Sequence, residues 1–362
     1  MYKVIQWFTG QLGLRQLREI LAHPGLELVG VVTQNPAKVG MDAGDLLSAS
    51  RTGITLIADV DAALAIEADV VLLSGIEWKP DLIARILASG KNVLTTWGGW
   101  YMKYEPEFEM LEAAARQGGS SLTATGNMPG LVNEAMPLFL SGFQSNISRI
   151  WTCERNQPIS NTSYEQLVGF EGISKPPPAD PFDHRLVPIC TWSFRQPAHM
   201  LADALGVRLD DFRCTSADWG LATQDFYLDG IKTWVRKGTV SGFRFQFTGF
   251  VDGKPWLVHE FELVHSYDIG RGYRESPEEP EFTVEVTGTP SLRLELKTLG
   301  GVDSSDNVLE INAQRVVNMI PHIVAAEPGC RSILDMKLIA AGHGAGPNCG
   351  GNVDSVTGRR DG

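Results

Sequence analysis

Cysteine is scarce and unpaired in pattern. The chain has five, Cys153, Cys190, Cys214, Cys330 and Cys349, an odd number at wide spacing. No C-x-x-C pair is present to hold zinc or run redox chemistry, so the thiols are expected to be buried apolar groups and no metal site is expected. Positive charge is also short. Against 43 acidic residues stand 31 basic ones, a formal net charge of −12, which repels phosphate backbones and anionic lipids and argues against a nucleic-acid partner. No apolar run approaches the ~18 residues of a membrane helix. The chain opens on Met1-Tyr2-Lys3-Val4-Ile5 without a signal-like segment, so no membrane partner and a cytoplasmic location are expected. No serine or cysteine lies in a G-x-S-x-G elbow, which leaves hydrolysis without support.

What is present is the composition of a globular protein, 43% hydrophobic and 20% charged over 362 residues. That length exceeds one ordinary core and favours two domains. The first 130 residues alternate short β-type runs with amphipathic stretches, the pattern of a parallel sheet covered by helices. Strands are expected at Lys3 to Phe8, Leu26 to Thr33, Thr55 to Ile57, Asp69 to Ser74, Asn92 to Thr96 and Ser121 to Ala124. Helices are expected from Gly10, near Asp61 to Ile66, and over Pro80 to Ser89 and Pro106 to Gln117.

Past Gly126-Asn127-Met128-Pro129-Gly130 the chain turns strand-rich and aromatic. Asn156 to Pro197, with Pro176-Pro177-Pro178, reads as a covering loop. Trp234 to Phe250 and Trp256 to Tyr267 flank Asp252-Gly253, a hairpin signal, and Phe282 to Thr287 pairs with Leu292 to Thr298. Val308 to Ala326 returns to helical periodicity and is expected to pack back on the first domain. The organisation is therefore a dinucleotide-type domain over 1–130, a second α+β domain on an antiparallel sheet over 131–307, a closing helix over 308–341 and a flexible tail over 342–362. Trp234, Phe243, Phe245 and Phe247, taken as exposed on that sheet, suggest a partner surface and hence a homodimer.

One phosphate device stands out. Phe8-Thr9-Gly10-Gln11-Leu12-Gly13 sits where a strand hands over to a helix, so free amides and the helix dipole favour a pyrophosphate, while Gly10 allows close approach and Gly13 close packing. The spacing is only G-x-x-G, because Phe8 stands where the usual motif has its first glycine; a structural turn fits the spacing nearly as well. No acid ends the second strand to accept the ribose hydroxyls; Thr33, Gln34 and Lys38 are there instead, which favours NADP(H), with NAD(H) as the alternative.

With these residues on the page, the chain resembles the dihydrodipicolinate reductase-like family, in the branch of 2,4-diaminopentanoate dehydrogenase and the NAD(P)H-dependent amine dehydrogenases. The resemblance is carried by Gly10-Gln11-Leu12-Gly13, by Asp42-Ala43-Gly44-Asp45-Leu46 with Thr52-Gly53-Ile54-Thr55, by Gly126 to Gly130, and by Val317-Asn318-Met319-Ile320-Pro321. It spans about residues 3 to 335, tightly in the first domain and loosely in the second. It implies a Rossmann domain facing a substrate domain. It also implies that Gly10, Gln11 and Leu12 hold the pyrophosphate, that Thr33, Gln34 and Lys38 surround the adenosine ribose, and that Ser74, Gly75, Thr95, Thr96, Asn127 and Pro129 border the nicotinamide.

Two departures qualify it. The histidine-rich dicarboxylate loop of true dihydrodipicolinate reductases has no counterpart between residues 130 and 311, and the glutamate that the resembling amine dehydrogenases carry after the fifth strand is missing. That stretch reads Thr96-Trp97-Gly98-Gly99-Trp100-Tyr101, with Glu105 the nearest acid. Glu105 and Tyr101 are the candidate catalytic residues; helix-dipole placement and a pocket wall are their bland alternatives. Trp97, Trp100 and Tyr101 suggest a pocket for a bulky, mostly apolar small molecule. The expectation is an NAD(P)-dependent oxidoreductase acting on a C=N or C=O carbon, with amine formation weakened by the missing acid. The alternative is a cofactor-binding sensor or interaction protein without turnover.

Overall fold

The computed structural model describes residues 1–158, 161–266, 268–270, 272–299 and 304–342. Strands β1 (Tyr2–Trp7), β2 (Leu26–Val32), β3 (Leu56–Ile57), β4 (Val70–Leu73), β5 (Asn92–Thr95) and β6 (Ser121–Ala124) alternate with helices α1 (Gln11–Ala22), α2 (Val60–Ala65), α3 (Pro80–Ala88) and α4 (Phe108–Gly118). The remainder comprises α5 (Met136–Ser141), β7 (Ser145–Asn156), α6 (Leu186–Ala204), β8 (Asp211–Leu221), β9 (Phe226–Leu228), β10 (Thr233–Val235), β11 (Val240–Val251), β12 (Lys254–Val264), β13 (Phe282–Thr289), β14 (Leu292–Leu296), α7 (Ser304–Val324) and β15 (Gly329–Cys330).

The first sheet has the order β3-β2-β1-β4-β5-β6-β15 and is parallel throughout. Its strands read as continuous apolar runs because helices cover both faces: Val4, Val31, Val70 and Leu72 lie beneath α1 and α7, and Ile5, Val71, Leu73 and Val93 beneath α3 and α4. Val316, Val317, Ile320 and Ile323 bring α7 back onto this core, as its periodicity requires. All strand ends therefore deliver their following loops to one edge of the sheet. Asp42 folds the excursion between β2 and β3. Its carboxylate accepts from the amides of Thr52, Gly44 and Gly53, each at 2.8 Å, and these bonds, the Thr52 amide first, hold it below the usual carboxylate range.

The second sheet runs β14-β13-β7-β12-β11-β8. It is mixed rather than purely antiparallel, because β7 and β12 run parallel at its centre. The Asp252-Gly253 hairpin forms as a two-residue turn with φ of 50° and 70°, joining Val251 to Lys254. Its first strand starts at Val240, and Trp234 belongs to the separate β9-β10 pair.

The expected covering loop is a helix from Leu186 onward. Two features hid it. Pro188 sits in the first turn, where a missing N–H breaks no helical bond, and α6 is buried on several sides, from Leu186 and Cys190 to Gln196 and Leu201, so it shows no single apolar stripe. Phe243, Phe245 and Phe247 are 0% exposed beneath it, with Phe194 edge-on to Phe247 at 5.0 Å, so these aromatics do not require a partner subunit. Trp234 alone of the four is exposed. The expected tail lies, after Gly342, outside the described residues. Among those residues no helix is long and apolar enough to cross a membrane.

At the start of α1 the two glycines differ. A Cβ on Gly13 would lie 2.4 Å from the Phe8 carbonyl oxygen, whereas one on Gly10 would meet nothing within 4 Å. Gly13→Ala should lower stability by about 1–3 kcal/mol through overpacking, while Gly10→Ala should stay within about 1 kcal/mol; urea unfolding of both variants reads the difference.

Candidate active site

The turn after β1 is held in an uncommon geometry. Phe8 takes φ of 77°, in the left-handed region that costs a non-glycine residue on the order of 1 kcal/mol. Its amide donates to Val32 O at 2.8 Å, its carbonyl accepts from Gln6 Nε2 at 3.1 Å, and its ring lies against Gly75. Gln6 in turn donates to Gln16, which also binds the Ser74 hydroxyl. Gly10 precedes the helix with no side-chain cap, and the first amide bond of α1 is Leu14 N to Gly10 O, which leaves the amides of Gln11, Leu12 and Gly13 free of helical acceptors. An open helix start with a bare α-carbon is a fit for a pyrophosphate.

Beyond β2, Thr33 is buried with its hydroxyl 3.2 Å from that of Thr9, and Gln34 is exposed. Lys38 reaches back to the turn, donating to Thr9 O at 2.8 Å. A cavity of about 310 Å³ opens beside them, lined by apolar Trp7, Val32, Ala58, Val60 and Leu82 and by the charged Lys79, Asp81 and Arg85. Its largely apolar walls are of the kind that receive a flat ring; both cations at the cavity are paired, Lys79 with Glu77 and Arg85 with Asp61.

On the same edge, the loop after β5 is stitched to α6. Gln196 Oε1 accepts from the amides of Gly99, Trp100 and Tyr101 at 3.2, 3.0 and 3.3 Å. Gly98 has φ of 87°, and a Cβ there would lie 2.4 Å from Trp78 and 2.7 Å from Trp192, so no acidic side chain fits at that position. Trp97 meets Phe170 edge-on at 6.5 Å, and Trp100 is enclosed at 2% exposure. Thr95 Oγ1 accepts from the Trp97 amide at 2.9 Å, and half-buried Thr96 follows. After β6, Asn127 Nδ2 donates to Val308 O at 2.6 Å while its buried Oδ1 has no protein partner, and the Met128–Pro129 bond is cis.

The two catalytic candidates are both engaged. Glu105 accepts from Arg195 at 2.9 Å and from the Trp192 indole at 2.9 Å, behind the tryptophans that flank Gly98. The Tyr101 hydroxyl donates to Asp203 at 2.6 Å, and burial followed by that bond raises it well above the usual phenol value. Asp203 also binds Lys103 and Tyr104. The arginines that could have met a substrate carboxylate are paired as well, Arg155 with Glu260 and Glu279, Arg195 with Glu105, and Arg244 with Asp218.

Sequence reasoning missed Trp78, Phe170, Trp192 and Gln196, which complete this edge. Only Trp78 carried a usable signal, an aromatic shortly after a strand end. It also passed over the buried carboxyls. Burial pushes Glu154 up to about 8 and Glu171 and Glu262 up to about 7, and pushes His259 and His265 down to about 3 and 4.

A helix start with free amides and an aromatic loop at the carboxyl edge of one parallel sheet are the architecture of an NAD(P)-dependent oxidoreductase of Rossmann type. Residues 190–348 match the family model of the 2,4-diaminopentanoate dehydrogenase C-terminal domain, in the half where the sequence motifs are fewest. An amine dehydrogenase of Streptomyces virginiae is 32% identical over 360 residues, covering 93% of this chain and 97% of its own. A 2,4-diaminopentanoate dehydrogenase of Acetoanaerobium sticklandii is 24% identical over 355 residues, with 93% of each chain covered. The solved structure of an amine dehydrogenase from Mycobacterium smegmatis shares the fold, with a TM-score of 0.74 over 94% of this chain and 97% of that one at 20% identity. The chain belongs to the amine dehydrogenase family.

Two outcomes follow from the site's charges. Glu105→Ala strands Arg195 and should cost about 3 kcal/mol, less than a fully buried pair would because Arg195 is partly exposed; the urea midpoint measures it. The three raised carboxyls favour the folded state while protonated, so their contribution is complete below the unfolded value and is lost as pH rises through about 7 to 8. The two histidines act oppositely, losing stability as pH falls below their unfolded value near 6.5. The thermal midpoint should therefore fall between pH 6.5 and 8.5, and Glu154→Gln should flatten that fall.

Proposed function

We propose that this chain passes a hydride between nicotinamide and a C=N or C=O carbon of a bulky, mostly apolar small molecule, with NADP(H) favoured over NAD(H). The observation that carries this reading is that the free amides behind Gly10 and the Trp97 to Tyr101 loop share one edge of the parallel sheet. The cofactor supplies the hydride chemistry; the chain orients it and keeps water out. Gly10, Gln11, Leu12 and Gly13 would hold the pyrophosphate, and Thr33, Gln34 and Lys38 the adenosine ribose. Ser74, Gly75, Thr95, Thr96, Asn127 and Pro129 would border the ring. Asn127 Oδ1, buried without a protein partner, is the kind of acceptor that a carboxamide or ribose hydroxyl satisfies.

The Gln11 side chain donates to Asn161 and Thr162, both at 3.0 Å, so these two residues lie beside the turn after β1. Half-buried Trp97 and Phe170 make the neighbouring wall apolar and aromatic, which suits a hydrophobic substrate body, while Trp100 is enclosed behind them. The C=N part of this proposal rests on the similarity to an amine dehydrogenase and a 2,4-diaminopentanoate dehydrogenase. Since Gly98 has no room for an acid and Glu105 is held by Arg195, the nitrogen's counter-charge has to come from another element.

Gly10→Val should leave the fold intact, since its side chain enters open space, and should weaken NADPH binding by at least tenfold in a fluorescence titration. Equal affinity in the folded variant would refute the turn as the site. Lys38→Ala should weaken NADPH roughly fivefold, the effect of about 1 kcal/mol from a partly exposed cation, with a smaller change for NADH. Parent affinities that favour NADH would count against the NADP preference.

A further inference from the structure

One carboxyl in the second sheet stands apart. By strand register Glu154 lies in a row with Phe245 of β11, Phe261 of β12, Phe282 of β13 and Leu296 of β14. It is the acid in a cross-strand row that is otherwise apolar, on the face covered by α6 rather than the face where Arg155, Glu260 and Gln246 pair. The residue is 6% exposed. The other buried carboxyls of the second sheet and α6 region meet partners: Glu105 meets Arg195, Glu171 meets Gln166, Glu260 meets Arg155 and Gln246, Glu262 meets the Arg274 amide, and Glu281 meets Arg274; Glu134, in the loop after β6, has no hydrogen bond to its Oε1 but feels the charge of Arg315. Among the described residues nothing hydrogen-bonds or pairs with the Glu154 carboxyl, and burial is the cause that pushes it up to about 8.

The neighbours of that row place it opposite the loops after β5 and β6, and we take the space between them and the second sheet as a crevice. Phe194 of α6 meets Phe261 at 5.9 Å, and Phe282 packs with Val132 and Met136 on the other side. Met128, next to Pro129 in the loop after β6, packs against both groups. Phe170 joins the Phe261 side and touches Trp97. Two residues beyond Glu154 the strand ends, and the chain reaches Asn161, which accepts from Gln11 at the phosphate turn. Glu154 thus lies on the wall of the second sheet that the loops after β5 and β6 face. Phe261 beside it is only partly buried.

We propose that Glu154 is the residue that binds the substrate's amino or imino nitrogen, supplying from the second sheet the carboxyl that the loop after β5 lacks. This rests on reading the crevice as the substrate site. A lone carboxyl among phenylalanines is stable while neutral and becomes favourable as an anion only beside a cation. An amine fits that need. Its nitrogen takes the carboxyl proton, an N–H bond forming as the O–H bond breaks, and an ammonium–carboxylate pair remains among the aromatic walls. A neutral carbonyl or alcohol of the same shape gains nothing comparable, so Glu154 sets a preference for nitrogen.

The test uses the full chain with NADP⁺, titrated with benzylamine and with benzyl alcohol and followed by tryptophan fluorescence. The parent should bind benzylamine at least tenfold more tightly than the alcohol. In Glu154→Gln that preference should disappear, with alcohol binding and NADPH affinity changed by less than about twofold, a shift that a merely structural role would not confine to the amine. If the amide variant does not fold, Glu154→Leu, apolar in apolar surroundings, carries the same comparison. An amine preference that survives either folded variant, or a parent without one, overturns the proposal. Loss of NADPH binding by the parent would instead overturn the nicotinamide reading, and the amine-against-alcohol comparison without nucleotide would still report on Glu154.

Discussion

Much of this molecule turns on one side-chain oxygen. Gln196 Oε1 gathers three successive backbone amides from the loop after β5 and so fixes that loop against α6. The same helix covers the aromatic face of the second sheet through Phe194 and Cys190, so a single element ties the parallel sheet's carboxyl edge to the floor opposite. Without this attachment Gly98 would not sit between Trp78 and Trp192, nor would Glu105 reach Arg195. The placing of this loop against α6 comes from that attachment rather than from either sheet alone.

The phosphate turn shows a comparable economy. Phe8 occupies a backbone conformation that glycine usually supplies, and it is retained because the Gln6–Gln16–Ser74 network and the packing of its ring against Gly75 determine the turn from both sides. Gly13 is demanded by the protein's own backbone. Gly10 is not: it stands at the bare start of a helix, where a Cβ would meet nothing within 4 Å.

Carboxyl groups divide the second sheet into two faces with different chemistry. One carries a paired network of Arg155, Arg244, Arg274, Glu260 and Glu262, where each charge has a counterpart. The other is aromatic, interrupted by Glu154 and by His259, whose ring nitrogen meets Thr152 at 2.7 Å. Burial acts on both faces, but only on the aromatic one does it leave an acid waiting for a partner.

The alternation of strands and helices over residues 1–130, the strand-to-helix turn at Gly10, the Asp252-Gly253 hairpin and the return of α7 were legible because their signals are local: periodicity, glycine and proline punctuation, and residues adjacent in the chain. The character of α6 was not, since a helix buried on several sides loses the polar stripe by which amphipathicity is recognised. Nor could the sequence separate Glu105 from Glu154 as acids. Alternation along β7 puts Glu154 on the same face as Thr152 and Asn156, yet whether that face meets solvent, core or crevice depends on Phe261, Phe282 and Met128, all brought in from elsewhere. Glu105 looked free until Arg195, 90 positions away, closed on it. The chain's own order determined which elements form; which carboxyl is satisfied and which remains open was decided by tertiary contacts, because ionisation and pairing depend on distance in space and on the exclusion of water.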